Sequence, residues 1–420
     1  MEDSRRGETR YSYTPTGQLE RAEYPDGREQ WRKSDQTGNL YPDPDMRLRR
    51  YLGGGRLEQD GEWHCEYDAD GNLTERYLGT GRWLDGKKDR WRYRWNADGS
   101  LAKVVRPDKR EVEFTYDALG RRLSKSFGTT VTRWVWNGNV PLHQWKRRRE
   151  YSVMGNRWRT DTERCDMTVW LFDEESFVPV AMIKEGRSYS ILTDQLGTPT
   201  EAYDAEGNEV WSRVLDMDGN VIEETGNKGM VPFLFQGQYY DRETGLAYNR
   251  FRYYSPKMGM YVSQDPIGLA GGILNLYGYV DDTLSFIDIL GLIKFRRNMS
   301  EREVQSTLEN GGLVRGINGS RGAKWISTMD NSYRDVNGLE VVLDMNDDVV
   351  NSIIKPRVLD YENMIGGESK NMDKVLVKSN EPGAMGIGVG ILENFNQYIK
   401  SITVYKIVKG KRKQIHYQQK

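Results

Sequence analysis

The chain has 420 residues, of which 37% are hydrophobic and 29% are charged, a composition that excludes disorder throughout. Its two cysteines exclude a disulfide framework and a four-thiolate zinc site. The N-terminus is polar and no run of about 18 apolar residues occurs, so we predict neither a signal peptide nor a membrane-spanning helix.

The net charge of −1 conceals an uneven distribution of charge along the chain. From residue 293 onward there are 20 Lys and Arg against 15 Asp and Glu, a net of +5, which leaves −6 for residues 1–292. Eleven of the 12 tryptophans and both cysteines also precede residue 293. We therefore predict a domain boundary between an acidic, aromatic body and a basic C-terminal domain.

A short unit repeats along the body: an aromatic residue, Asp or Asn, two residues, Gly, and a Leu shortly after. It occurs at Tyr67–Leu73, Trp95–Leu101 and Tyr116–Leu123, with degenerate copies around Gly17, Gly38 and Gly207. Asp, Asn and Gly tolerate the positive φ of hairpin turns, and the alternation in Trp91–Trp95 puts rings on one face of a strand. These patterns predict a mostly β body, a long antiparallel sheet of stacked hairpins. An ordinary β-sandwich with frequent Asp-Gly turns is the alternative.

The repeats resemble the tyrosine-aspartate (YD) repeats of the Rhs (rearrangement hotspot) family of bacterial polymorphic toxins. Downstream, Gly237–Pro256 and Asp265–Gly272 resemble the family's core signature. The resemblance covers about residues 10–292 and implies a β-hairpin shell that encloses a C-terminal toxin. We accordingly expect a shell segment at 1–236, the core signature with its cleavage site at 237–292, and a toxin domain at 293–420.

The same resemblance implies that Asp265 and Asp288 cut the chain together, between Leu292 and Ile293. Two carboxylates that share a site cannot both ionise cheaply, so one holds a proton as the acid while the other activates water. In this chain the end of the core, Asp281–Leu292, lacks the two prolines usual in the family. The alternative role for both aspartates is turn capping.

Residues 293–420 predict a small α+β domain. We expect a helix from the capping box Asn298–Glu303, a second helix over Gly390–Ile399, and strands at Leu339–Leu343, Lys374–Val377 and Ser401–Val408. The domain has no Cys and a single His, His416, which we expect in a frayed tail. A thiol nucleophile is excluded and multi-histidine metal sites are disfavoured, so carboxylates, Arg, Ser and Tyr remain to carry any chemistry.

One such chemistry is ADP-ribosyl transfer from NAD, because Arg315, Ser327 and Glu381 weakly resemble the Arg, Ser and Glu of ADP-ribosyltransferases. There Arg315 would hold the pyrophosphate, Ser327 would orient the carboxylate, and Glu381 would stabilise the oxocarbenium-like centre. Tyr333 could stack on nicotinamide, and Glu393 competes with Glu381 for the carboxylate role. These residues also have alternative roles without catalysis. Arg315 would then form a surface ion pair, Ser327 would be a strand-edge hydroxyl, Glu381 would belong to a turn, and Tyr333 would be half-buried packing.

Two other readings stay open. The first is a metal-dependent nuclease, in which four carboxylates would bind Mg²⁺, those of Glu340, Asp344, Asp347 and Asp348. The basic segment Lys409–Lys413 would attract the phosphate backbone of the substrate. Alternatively, the chain is a silent cassette or a binding module without enzymatic activity.

The resemblance also implies partners and a location. It implies a cognate immunity protein that blocks the toxin, a protein or nucleic acid of the target cell as substrate, and a secretion-system spike or adaptor, as in type VI secretion. We expect the chain in the cytoplasm of the producing cell, from which it is delivered into the cytoplasm of the target cell.

Overall fold

The computed structural model describes residues 2–3, 7–15, 18–79, 86–174, 176–266 and 275–288, and thereafter eight strands between residues 295 and 419. Contacts divide the chain into two compact units. The first comprises Met1–Gln264 with Tyr277–Gly291, and the second comprises Asp265–Leu276 with Leu292–Lys420. The predicted division at residues 236 and 292 stays a prediction.

The first unit begins with three small antiparallel sheets. Their strands are β1 (Glu2–Asp3), β2 (Gly7–Glu8), β3 (Arg10–Tyr13), β4 (Leu19–Glu23), β5 (Glu29–Trp31), β6 (Lys33–Ser34) and β7 (Leu40–Tyr41). β1 pairs with β2, β4 lies between β3 and β5, and β6 pairs with β7. Leu19 and Ala22 of β4 are buried with Met217, which ties these strands to the large sheet that follows.

One large antiparallel sheet forms most of the first unit. Its strands are β8 (Arg49–Leu52), β9 (Arg56–Asp60), β10 (Trp63–Tyr67), β11 (Leu73–Leu78), β12 (Lys88–Trp95), β13 (Leu101–Val105), β14 (Glu111–Tyr116), β15 (Arg122–Phe127), β16 (Thr130–Asn137), β17 (Val140–Ser152), β18 (Arg157–Thr160), β19 (Cys165–Phe172), β20 (Pro179–Lys184), β21 (Arg187–Thr193), β22 (Pro199–Tyr203), β23 (Glu209–Leu215) and β24 (Val221–Gly226). Strands adjacent in the chain are adjacent in the sheet, except that both β18 and β19 pair with β17. The predicted long antiparallel sheet of hairpins is confirmed.

The repeated unit forms the turns between these strands. In the turn after β10, the Asp68 carboxylate accepts the backbone N–H of Asn72 at 2.8 Å, and the Gly71 N–H donates to the Asp68 carbonyl at 3.1 Å. Gly71 has a φ of 77°, and an added Cβ would collide with the side chain of Gln264. The same Asp-to-Gly turns recur at further positions, including two that the sequence pattern did not single out, Asp194–Gly197 and Asp216–Gly219.

A small sheet formed by the core signature packs on one face of the large sheet. Its strands are β25 (Tyr239–Asp241), β26 (Leu246–Asn249), β27 (Arg252–Ser255) and β28 (Met260–Tyr261). The Tyr248 hydroxyl donates to the Gly120 carbonyl at 3.0 Å, and the Tyr116 and Tyr253 hydroxyls are 2.8 Å apart. The aromatic residues of the signature therefore form part of the core.

The eight strands described after residue 294 form one mainly antiparallel sheet. They are β29 (Phe295–Met299), β30 (Lys324–Ser327), β31 (Leu339–Met345), β32 (Val358–Asp360), β33 (Val375–Val377), β34 (Ala384–Ile387), β35 (Ile399–Val408) and β36 (Lys411–Gln419), in the order β32-β33-β34-β30-β29-β31-β35-β36. The three predicted strands are confirmed. The predicted frayed tail is wrong, because His416 lies in β36 opposite Val404.

The expected helices of this region find no confirmation in the described residues. The first residues of the predicted capping box, Asn298 and Met299, belong to β29, where Asn298 pairs with Glu340 of β31, and the helix that the box would open stays a prediction. Residues 300–303 and 388–398 lie outside the described residues, and Ile399 already belongs to β35. Among the described residues, a short 3-10 helical turn occurs in the first unit, at Gly53–Gly55. Within the part of the chain that the structure describes, no helix has the length and hydropathy needed to cross a membrane.

A buried ion cluster joins the small sheet to the large one. Asp241 of β25 is fully buried and accepts from Arg122 at 2.5 Å and from Lys125 at 2.9 Å, both on β15. The Arg122 guanidinium, 1% exposed, lies 4.5 Å from the ring centroid of Trp134 and 4.7 Å from that of Tyr248. Burial alone would lower the pKa of Arg122, but the charge of Asp241 raises it above its usual value.

We predict that Asp241→Asn destabilises the fold by about 3 kcal/mol or more, because it leaves two buried cations without their shared carboxylate. The denaturant midpoint of unfolding measures this effect. Asp26→Asn is the matched control, since Asp26 pairs with the well-exposed Arg28 in a turn and its loss should leave the midpoint in place. Equal midpoints for the two variants would contradict the prediction.

A half-buried acid, Asp216, lies in the turn after β23. The Asp216 carboxylate accepts the backbone N–H of Asp218 at 2.9 Å and that of Asn220 at 2.8 Å. Asp218 in turn pairs with Arg32 at 3.1 Å. Burial, together with the charge of Asp218, raises the pKa of Asp216 to about 7.

Asp216 therefore makes stability depend on pH. The folded state keeps its proton up to about pH 7 while the unfolded chain loses it near pH 4, so stability falls as pH rises between these values. We predict that Asp216→Asn flattens the fall of the unfolding midpoint between pH 5 and 7.5. Asp204→Asn, in an exposed turn of the same pattern, is the control and should keep the slope of the unchanged chain. Identical slopes in all three proteins would rule out a role for Asp216.

Candidate functional site

Asp288 lies in a built polar site inside the first unit. Its side chain is buried, and its Oδ2 accepts from the Tyr261 hydroxyl at 2.8 Å and from Arg252 Nη2 at 3.1 Å. The Asp288 carbonyl accepts from Asn249 Nδ2 at 2.8 Å. Both the carboxylate and the backbone of this residue are thus fixed in place, four residues before the predicted cleavage bond.

The neighbours of Asp288 come from three short strands of the core signature. Asn249 ends β26, Arg252 begins β27 and Tyr261 ends β28, so the antiparallel pairing of these strands brings the three side chains together. Arg252 and Asn249 lie beside the β26–β27 turn and are paired with each other in the sheet. The sequence prediction included these residues in the signature but gave them no role.

Arg252 and Tyr261 set the electrostatic environment of the Asp288 carboxylate. The Arg252 guanidinium carbon lies 3.6 Å from the ring centroid of Tyr261, and both side chains are almost fully buried. An adjacent guanidinium stabilises a carboxylate charge that burial would otherwise penalise. Burial and the charge of Asp288 raise the pKa of Tyr261 well above its usual value, so this hydroxyl stays protonated and donates.

Asp265, the second predicted catalytic aspartate, follows β28 and is also buried. Its backbone N–H donates to the Leu276 carbonyl at 2.8 Å, which joins the two ends of the segment 266–275. Asp265 belongs to the second compact unit and Asp288 to the first, so their joint action stays a prediction. The bond between Leu292 and Ile293 lies outside the described residues.

Of the predicted toxin residues, the structure describes the backbone of Ser327. It ends β30, where it pairs with Arg296 of β29 and with Ala384 of β34. Arg315, Tyr333 and Glu381 lie outside the described residues, as does the alternative Glu393. The NAD site therefore stays a prediction.

The structure describes two of the four carboxylates of the alternative Mg²⁺ site. Glu340 and Asp344 both lie on β31, where they pair with Tyr405 and Ser401 of β35. Asp347 and Asp348 lie outside the described residues. A Mg²⁺ site on these carboxylates stays a prediction.

Comparison with known families identifies the body of the chain. The Teneurin YD-shell family matches residues 1–273, which carry the large sheet and most of the core signature. The chain belongs to this family of YD-repeat shells, and among its relatives are the Rhs toxins that its core signature resembles.

Two curated bacterial relatives illustrate the similarity. The double-stranded DNA deaminase toxin A of Burkholderia cenocepacia is 33% identical over 315 residues, which cover 69% of this chain and 21% of that protein. The probable deoxyribonuclease RhsA of Dickeya dadantii is 30% identical over 246 residues, or 57% of this chain and 16% of that protein. The chain thus spans about a fifth or less of the length of these relatives.

A solved structure of TcdB2-TccC3-TEV also aligns with the chain. The alignment covers 68% of this chain and 17% of the solved chain, with a TM-score of 0.42 and 16% sequence identity.

Proposed function

We propose that this protein is an Rhs-type toxin of interbacterial competition whose C-terminal domain, residues 293–420, is released by self-cleavage between Leu292 and Ile293. The observation that carries the proposal is the buried site of Asp288, close in sequence to the bond to be cut, where Arg252 and Tyr261 hold the carboxylate and Asn249 holds the backbone carbonyl.

In the proposed reaction the two aspartates have different tasks. Asp288, stabilised as an anion by Arg252, takes a proton from water, and the resulting hydroxide attacks the carbonyl carbon of Leu292. Asp265 holds the proton that passes to the amide nitrogen of Ile293 as the peptide bond breaks. This division follows from the rule that paired acids differ in their proton affinity because their environments differ.

We predict that the expressed chain yields a fragment that begins at Ile293, detectable on a denaturing gel and by mass spectrometry of the released N-terminus. Asp288→Asn and Asp265→Asn should each slow cleavage by about a hundredfold or more, because each removes one of the two proton-transfer groups. Asp281→Asn is the matched control, since Asp281 is exposed in the same segment.

Two results would contradict self-cleavage. One is full-length protein that persists unchanged in the parent chain and in all variants. The other is cleavage that Asp288→Asn and Asp265→Asn leave as fast as Asp281→Asn does.

For the released domain we propose NAD-dependent ADP-ribosylation of a protein or nucleic acid in the cytoplasm of the target cell. The weak resemblance of Arg315, Ser327 and Glu381 to a transferase site supports this activity, together with the lack of Cys in the domain. We further propose a cognate immunity protein that blocks the site, and delivery through a secretion-system spike or adaptor.

A metal-dependent nuclease is the second candidate. The net charge of +5 after residue 292 favours a phosphate backbone as ligand, and one relative bears the name deoxyribonuclease.

We predict that the purified chain, mixed with labelled NAD and a bacterial extract, transfers label to a macromolecule. Glu381→Gln should reduce this labelling by about a hundredfold or more, because the carboxylate would stabilise the transition state. Glu368→Gln, to which no role is assigned, is the matched control. Degradation of nucleic acid that requires Mg²⁺, without labelling, would instead support the nuclease, and a chain harmless to cells would support the silent cassette.

A further inference from the structure

A cavity of about 390 Å³ lies between the large sheet and the core signature, within the first unit. Trp63, Arg76 and Trp91 line it from the sheet, and Lys257 and Tyr240 line it from the core signature. Its volume falls in the range of small-molecule sites in proteins. None of the roles proposed above uses this cavity.

The strand register explains why these side chains converge. Arg76 of β11 is opposite Cys65 of β10 and opposite Trp91 of β12. Trp63 is two residues before Cys65 on β10, so it lies on the same face of the sheet as Arg76 and diagonal to it. The sheet thus presents a cation between two indole rings to the segment that carries Lys257.

Arg76 is a buried cation that pairs with no carboxylate among the residues the structure describes. It is 7% exposed, and its Nε and Nη2 atoms make no hydrogen bond in the described part of the chain. Its guanidinium carbon lies 4.1 Å from the ring centroid of Trp63, a cation-π contact that supplies no counter-charge. A buried charge without a partner is costly, so burial of Arg76 indicates a ligand that completes it.

Lys257 adds a second positive charge to the lining of the cavity. Its Nζ lies 4.8 Å from the ring centroid of Trp63, and no ion pair of Lys257 occurs among the described residues. Burial and the charge of Arg76 lower the pKa of Lys257. The other two cations of the cavity are compensated, since Arg106 pairs with Asp108 and Arg242 with Glu224.

We propose that this cavity binds a phosphate group, held between Arg76 and Lys257. A phosphate monoester carries a charge of about −1.5 to −2 at pH 7, which is opposite in sign to the two cations, Arg76 and Lys257. Guanidinium groups bind phosphate oxygens through paired, charge-assisted hydrogen bonds, and Arg76 has donors left to make them. The remaining volume, beside Trp91 and Tyr240, leaves room for a group attached to the phosphate.

Isothermal titration of the full chain with inorganic phosphate, pyrophosphate and AMP tests the proposal. We expect saturable binding that weakens with salt, and a loss of affinity of about tenfold or more in Arg76→Met. Arg94→Met is the matched control, because Arg94 lies on β12 and is exposed. Tighter binding of AMP than of phosphate would identify a nucleotide as the ligand, and equal affinities would identify the phosphate alone. Either result supports the site.

A stability measurement and a second variant keep the test decisive. Arg76→Met removes an unpaired buried charge, so its unfolding midpoint should equal or exceed that of the parent chain. If Arg76→Met fails to fold, Lys257→Met decides, because Lys257 is exposed and its loss should weaken binding without unfolding. The absence of saturable binding at millimolar concentrations of all three probes would overturn the proposal, as would unchanged affinity in both variants.

Discussion

The fold of the first unit depends on one constraint, that a buried charge needs an opposite charge beside it. Asp241 lies on β25, the first strand of the core signature, and it pairs with Arg122 and Lys125 of β15 in the large sheet. A shift of the small sheet by one residue would separate these groups and leave three buried charges unpaired. The ion cluster thus fixes the register in which the core signature docks, and with it the position of β26 to β28 around Asp288.

Pairs of opposite charges also join other segments that are distant in sequence. Arg32, next to β5, pairs with Asp218 after β23 and also donates to the carbonyl of Asp281 at 2.7 Å. Arg252 and Asp288 repeat the arrangement over a shorter distance. In each case a cation on one segment meets an acid on another, so polar contacts as well as apolar packing specify how the pieces assemble. Arg76 departs from this rule, which is why its cavity indicates a ligand.

The sequence was sufficient for the local structure and insufficient for the long-range pairing. Asp68 and Gly71 could be predicted as a turn because the residue types alone satisfy its backbone geometry. The hairpins could be predicted from such turns, and the core signature could be recognised by its resemblance to a family. The contact of Arg122 with Asp241 joins residues 119 positions apart, which no local pattern encodes. His416 shows a second failure, since its place near the end of the sequence suggested a frayed tail, whereas it lies in β36 and pairs with Val404.

The absence of the two prolines at the end of the core does not remove the support of Asp288. A proline restricts the backbone through its own ring, whereas the backbone of Asp288 is held by the amide of Asn249 and its carboxylate by Arg252 and Tyr261. These three contacts come from strands that the ion cluster of Asp241 keeps in register. The position of the carboxylate therefore depends on the docking of the core signature and not on the conformation of the residues that follow it. A chain of this family can lose the prolines and still keep a carboxylate fixed close in sequence to the bond it is proposed to cut.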